Sequence, residues 1–244
     1  LYVYQCISEG KRRIMETGYS KWRKLDNAAL AFPLVTGKHD TRVFRFYCEC
    51  KEPVDPEILQ KALDETMKKY PLFQAVLRKG LFWFYLERRE IKAVVTEEKK
   101  PPCSRLYIPD KKTLLFEVTY YKNRINFEVY HALTDGTGAM HFLQELVQNY
   151  LIRKHPEAHL SRMESGEEST PWDQEEDSFS QYYSLPEGKN EKKPTAVRLK
   201  GEKRPHEEMQ ITDLNIPVKE IHAKAKSYGV SITVFLAAVM LCAI

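Results

Sequence analysis

Cysteine is scarce and unpatterned in this sequence. The five present, Cys6, Cys48, Cys50, Cys103 and Cys242, form no Cys-x-x-Cys pair, and their odd number argues against a complete disulfide framework. A reducing, cytoplasmic setting is the expectation. Long apolar runs are also missing: no stretch reaches the roughly 18 residues that suggest a membrane helix, so no membrane span is expected. The start, LYVYQCISEGKRR, lacks the basic opening and apolar core of a secretory signal. No charge of one sign dominates, because 38 Lys and Arg stand against 34 Asp and Glu, a net charge of +4. That balance excludes nucleic acid as the expected partner. Absent too are a Gly-x-Ser-x-Gly elbow, a His-Glu-x-x-His helix and a phosphate-binding glycine loop, which removes the common serine hydrolase, zinc protease and nucleotide hydrolase readings.

What is present is enough for a packed core. At 244 residues, 43% hydrophobic and 30% charged, the chain suits one large domain or two small ones. VFRFYCEC, residues 43–50, alternates as a half-buried strand does. Asp55 and Pro56 then open a helix whose stripe is Ile58, Leu59, Ala62, Leu63 and Met67, ending near Tyr70-Pro71. FQAVLRKG and LFWFYLE read as strands around Lys79-Gly80, and TLLFEVTYY and RINFEVYH as another pair around Lys122-Asn123. The run Phe82, Trp83, Phe84, Tyr85 reads as a strand packed on both faces. In the last strand Ile125, Phe127, Val129 and His131 share one inward face. Residues 137–152 follow as a helix with Met140, Leu143, Leu146, Val147, Tyr150 and Leu151 at helical spacing.

Beyond this block the composition turns charged and polar from Glu157 to Pro205, acidic first and then basic, as a long surface connection would. Trp172, Phe179, Tyr182 and Tyr183 suggest that part of it docks. EMQITDLNI then reads as a strand, PVKEIHAKAKSYG as a helix closed at Gly229, and Ser231 as the cap of a last helix. The eleven residues from Val234 to Ile244 are all apolar, so that helix reads as a core element stopping in mid-pattern, as in a truncated chain. The expected division is 1–155, a subdomain carrying the chemistry; 156–206, a charged crossover; and 207–244, the start of a second subdomain.

YHALTDGTG, residues 130–138, is the stretch richest in chemistry. It sets a histidine at a strand end and Asp135-Gly136 four and five residues later. Histidine takes up and returns a proton near neutral pH, which acyl transfer to an alcohol or amine requires. Asp135 could cap the next helix or hold an ion pair, and Gly136 permits backbone angles that other residues resist. A buried histidine bonded to backbone, followed by an ordinary Asp-Gly turn, would leave the same residues. Metal chemistry has little support. His131 and His141 are ten residues apart, and Pro156 breaks the helix between His155 and His159, so no metal site is expected. Cys48, Cys50 and Cys103 read as structural.

YHALTDG resembles the His-x-x-x-Asp-Gly active-site motif shared by chloramphenicol acetyltransferase, plant BAHD acyltransferases, wax-ester synthases, alcohol acetyltransferases and peptide-synthetase condensation domains. The block VFRFYCECKEPVDPEILQKALDETMKKYPLFQAVL, and KAKSYGVSITVFLAAVMLCAI near the end, resemble the same superfamily. The resemblance implies an α+β fold, a chloramphenicol acetyltransferase-like two-layer sandwich of a mixed sheet with helices, here the N-terminal half with the start of the second. It implies an acyltransferase with His131 as general base and Asp135 orienting the motif through an ion pair. Gly136 would leave room for substrate, and Tyr130, Thr137 and Gly138 would be substrate-binding. The implied donor is acyl-CoA carrying an acetyl group, with no tightly bound cofactor, and the implied acceptor is a small alcohol or amine. Condensation domains usually carry a second histidine where Tyr130 stands, which leans toward the alcohol acetyltransferase or BAHD-like branches. The alternatives are condensation-type transfer from an acyl carrier protein, and a non-catalytic member that binds a ligand or partner in the same cleft. Trp22, near KLDNAA, lies in a segment that runs near the channel in such enzymes.

Overall fold

The computed structural model describes residues 22–26, 28–38, 40–81, 83–162, 201–202 and 211–243. The chain divides into two compact units, Leu1–Glu207 and Glu208–Ile244. In the first, the described elements run in the order β1 (Trp22–Lys24), α1 (Ala31–Val35), β2 (Val43–Glu49), α2 (Pro56–Lys69), β3 (Ala75–Lys79), β4 (Phe84–Arg88), β5 (Thr96–Glu97), β6 (Phe116–Tyr121), β7 (Arg124–Tyr130) and α3 (Gly136–Lys154). Short 3₁₀ turns follow α2 and α3. The second unit holds α4 (Val218–Ser227) and α5 (Ile232–Ala243).

The start of α2 follows from local chemistry. The Asp55 carboxylate accepts from the N–H groups of Glu57 and Ile58 at 2.9 and 3.0 Å, Pro56 fills the first position, and the last turn carries Lys68 and Lys69. These satisfy orphan N–H groups at one end and oppose the helix dipole at the other. Leu59, Ala62, Leu63 and Met67 are buried as the spacing predicts, and Thr66 with them.

Two sheets form. One has the order β1-β4-β3, the other β2-β7-β6-β5, and the second is mixed because β5 joins β6 in parallel while the other pairs are antiparallel. The α+β expectation of a mixed sheet with helices holds. In β2 and β7, Val43 pairs with Tyr130 and Glu49 with Arg124, so Phe44, Phe46 and Cys48 share a face with Val129, Phe127 and Ile125. Helices α2 and α3 pack together, and the core between sheet and helices is aromatic. The Phe142 ring stacks on Phe73 at 4.3 Å and on Phe127 at 4.8 Å, with Phe116 at 5.5 Å.

The opposite face of β7 departs from the single buried row that its alternation predicts. Asn126, Glu128 and Tyr130 are buried as completely as Ile125, Phe127 and Val129. The segment running from β5 through Cys103 to Tyr107 covers them. It brings Glu98 to the Arg45 guanidinium, which also binds Glu128 at 2.7 Å through Nε, and the Cys103 N–H donates to the same Glu128 oxygen at 2.7 Å. A buried ionic group persists only with such partners.

Three further expectations are corrected. In α3, Leu143, Leu146 and Tyr150 are buried as predicted, but Met140 is 38% exposed, and Ala139 and Phe142, outside the predicted stripe, are buried with them. Residues 211–216 form no strand and are exposed, and the described residues of their own unit hold no strand to complete a ladder with them. Trp83 is exposed and Phe84 and Tyr85 only half-buried, so that run is not packed on both faces; Phe82 falls outside the described residues. Most of the charged crossover, with Trp172, Phe179, Tyr182 and Tyr183, and Cys6, also lie outside them. In the second unit α4 ends as predicted with Gly229 at φ +69°, and the Ser231 hydroxyl accepts from the Val234 N–H at 3.3 Å. No single described helix is long and apolar enough to cross a membrane; α4 and α5 meet that test only jointly, across an 83° bend.

Candidate active site

The candidate site forms where β7 ends and α3 begins. Tyr130 closes β7, residues 131–133 make a turn in which the Leu133 N–H donates to the Tyr130 carbonyl at 2.9 Å, and α3 starts at Gly136. Asp135 is the N-cap: its carboxylate accepts from the Gly138 N–H at 2.8 Å and its carbonyl from the Ala139 N–H at 3.1 Å. The turn is tied to its surroundings at two further points. The His131 N–H donates to the Arg42 carbonyl at 2.9 Å, and the Arg23 guanidinium donates to the Leu133 carbonyl at 3.4 Å.

His131 lies just beyond the strand rather than within it, half-buried. Its imidazole stacks on the Phe32 ring, centroids 4.4 Å apart and planes 14° from parallel, and meets Phe44 at 4.9 Å and 56°. Among the described residues neither ring nitrogen has a hydrogen-bond partner. The N–H groups of Gly136 and Thr137, the first of α3, have none there either, as expected of a helix start. In the chain, then, an imidazole without a described hydrogen-bond partner is followed five residues later by a helix N-terminus suited to negative charge.

The other predicted residues fall into different roles. Tyr130 is wholly buried, its ring stacked on Tyr107 at 5.4 Å and its hydroxyl 2.8 Å from that of Thr36. Burial pushes the phenol up to about 12. A substrate contact does not fit such burial, and Tyr130 instead braces the segment that carries Phe32. Asp135 has no ion pair among the described residues and acts as a cap. Gly136 does not use a left-handed angle; Gly229 alone does among the described glycines. A Cβ at 136 would meet only the Phe46 ring, at 4.0 Å. Gly138 is the tighter position, because a Cβ there would meet the Thr134 hydroxyl and that side chain would have to shift. Thr137 is exposed.

The cap can be tested directly. Asp135→Ala is expected to lower stability by about 1 kcal/mol, whereas Asp135→Asn, which keeps an acceptor oxygen, stays near the parent. Urea unfolding of the three proteins checks this, and equal losses in both variants would mean that the charge, not the cap, matters.

Phe32, Phe44 and Arg42 are site residues that the sequence reading missed. Phe44 had a signal, since it shares a sheet face with Val129 and so neighbours the following histidine; Phe32 had none. No group of three or more His, Cys, Asp or Glu among the described residues could hold a metal. His141 is exposed on α3, and His155 sits 3.4 Å from Glu157. Burial pushes the Cys103 thiol up to about 11 and raises those of Cys48 and Cys50, which makes them weak nucleophiles.

No family model and no curated protein matches this chain. Solved structures similar to it include the starter condensation domain of rhizomide synthetase RzmA, with a TM-score of 0.47 and 12% identity over 56% of this chain and 39% of that one. The tallysomycin biosynthesis protein TlmII gives 0.44 and 16% identity over 54% and 39%. Polyketide synthase associated protein 5 from Mycobacterium tuberculosis gives 0.41 and 15% over 53% and 32%. The chain thus spans about two fifths or less of the length of these structures.

Proposed function

We propose that the protein containing this chain transfers an acyl group from a CoA thioester to a hydroxyl or amine acceptor, with His131 as general base. The observation that carries this is the His131 imidazole, set at a strand end with both nitrogens free of described partners, immediately before the unsatisfied N–H groups that open α3. The acceptor hydroxyl or amine gives its proton to the imidazole as its oxygen or nitrogen attacks the thioester carbonyl. The oxyanion of the tetrahedral intermediate is stabilised by backbone N–H donors of the kind Gly136 and Thr137 present. Collapse breaks the carbon–sulfur bond, and the imidazolium returns its proton to the departing thiolate. No covalent enzyme intermediate is needed, and an acetyl group is the acyl group proposed.

The test is thiol release by the full-length protein, offered acetyl-CoA and longer acyl-CoAs with a panel of alcohols and amines, and in parallel a carrier-bound thioester. Acceptor-dependent release from CoA is the expected result. Release only from the carrier thioester would move the donor to the condensation-type alternative. Silence with every donor would overturn acyl transfer and leave a binding role.

A further inference from the structure

Most catalytic histidines have one ring nitrogen engaged by a carboxylate or carbonyl that fixes ring plane and tautomer. Here neither nitrogen has such a partner among the described residues, yet the ring is held. The Phe32 ring lies 4.4 Å from the imidazole and 14° from parallel, and Phe44 approaches at 4.9 Å from a tilted direction. We infer that Phe32 is a positioning residue for His131, fixing the imidazole plane by stacking and so leaving both nitrogens available. The inference rests on the acyl-transfer reading for its kinetic consequence, though not for the stack itself.

The geometry favours this role for a physical reason. The lone pair that accepts a proton lies in the imidazole plane, whereas stacking uses the face. A ring packed on its face can still exchange protons at its edge. Phe32 is held in turn. It belongs to the five-residue α1, whose C-cap residue, Thr36, donates its hydroxyl to the Phe32 carbonyl at 2.7 Å and lies 2.8 Å from the Tyr130 hydroxyl. Tyr130 adjoins His131 and is wholly buried. The chain on either side of the stack is therefore bound together, Phe32 through Thr36 to the residue before the histidine and His131 through its own N–H to the Arg42 carbonyl.

The experiment compares the full-length protein with Phe32→Ala, Phe32→Tyr and Thr36→Val. The first readout is the proton NMR shift of the His131 ring, which a stacked phenyl displaces upfield by its ring current. Phe32→Ala should lose that displacement, Phe32→Tyr should keep it, and Thr36→Val should reduce it. The second readout is steady-state acyl transfer: kcat should fall roughly ten-fold in Phe32→Ala, with KM within about two-fold, and recover in Phe32→Tyr. An unchanged His131 shift in Phe32→Ala overturns the stack, and a lost shift with unaltered kcat overturns the positioning role. The shift is read whether or not the protein turns over. A parent protein that shows the stack but transfers no acyl group to any acceptor therefore refutes the acyl-transfer reading and, with it, the catalytic consequence of Phe32, while the stack itself stands.

Discussion

His131→Ala is expected to lower acceptor-dependent acyl transfer by about 10²–10⁴-fold, the range usual for losing a positioned general base. The loss should fall on kcat and on kcat/KM together, with little change in KM, because proton removal from the acceptor develops only in the transition state. Folding should suffer little. The ring is half-buried, and its described ring contacts, the stack on Phe32 and the tilted contact with Phe44, amount to an aromatic increment of about 1 kcal/mol. Circular dichroism and urea unfolding of the purified variant would separate lost chemistry from lost structure. Activity unchanged in a folded variant would remove His131 from the mechanism. Of the other described histidines in the first unit, His141 is exposed on α3, His155 lies against Glu157 and Glu52 beyond the end of that helix, and His159 is exposed just past it.

Arg45→Ala should produce the largest loss of stability, about 3–5 kcal/mol, as removing one partner of a buried ionic cluster does. The Arg45 side chain is 9% exposed and the Glu128 side chain 2%, with Glu98 at 14%. Alanine would strand two carboxylates that retain only the Cys103 N–H, Asn126 and Arg124 as described donors. Removing the charges together, as in Arg45→Met with Glu128→Met, should cost much less, since the penalty comes from the uncompensated charge. The pH dependence has a definite sign. Burial holds the Glu128 carboxyl above the usual carboxylate range, against the pull of the Cys103 N–H and Arg45. A folded-state value above the unfolded one contributes stability that is present in acid and is lost as pH rises through the folded value. Without Arg45 that elevation grows. The gap in unfolding free energy between variant and parent should therefore be smaller in mildly acidic than in neutral buffer, as paired urea titrations would show; a gap that widened in acid would refute the assignment of Glu128 as the stranded charge.

The readable parts of this fold are those governed by neighbours in the chain. Asp55-Pro56 announces α2, and Asp135 announces α3, because a cap needs only a carboxylate two or three residues ahead of an orphan N–H. The hairpin of β6 and β7 around Lys122-Asn123 shows in the alternation of two adjacent runs. The errors lie where a remote segment intervenes. β7 looked one-sided, yet the stretch from Glu98 to Tyr107, with little periodicity of its own, buries its second face. The two-residue β5 is too short to carry a pattern. Met140 and Phe142 are both apolar, and only the position of the sheet decides which of them turns inward.

At the candidate site the same division holds. The sequence by itself determined that a histidine ends a strand, that a short turn follows, and that a helix opens behind an Asp135 able to cap it, because each depends on contacts a few residues long. Only the tertiary structure decided how the imidazole is held: by Phe32 from a segment without any local motif, by Phe44 from the neighbouring strand, and by the Arg42 carbonyl. It also moved Tyr130 from the site's surface to its support. Contacts between segments distant along the chain need only complementary shape once the core has closed, and shape of that kind leaves no spacing in the sequence to read.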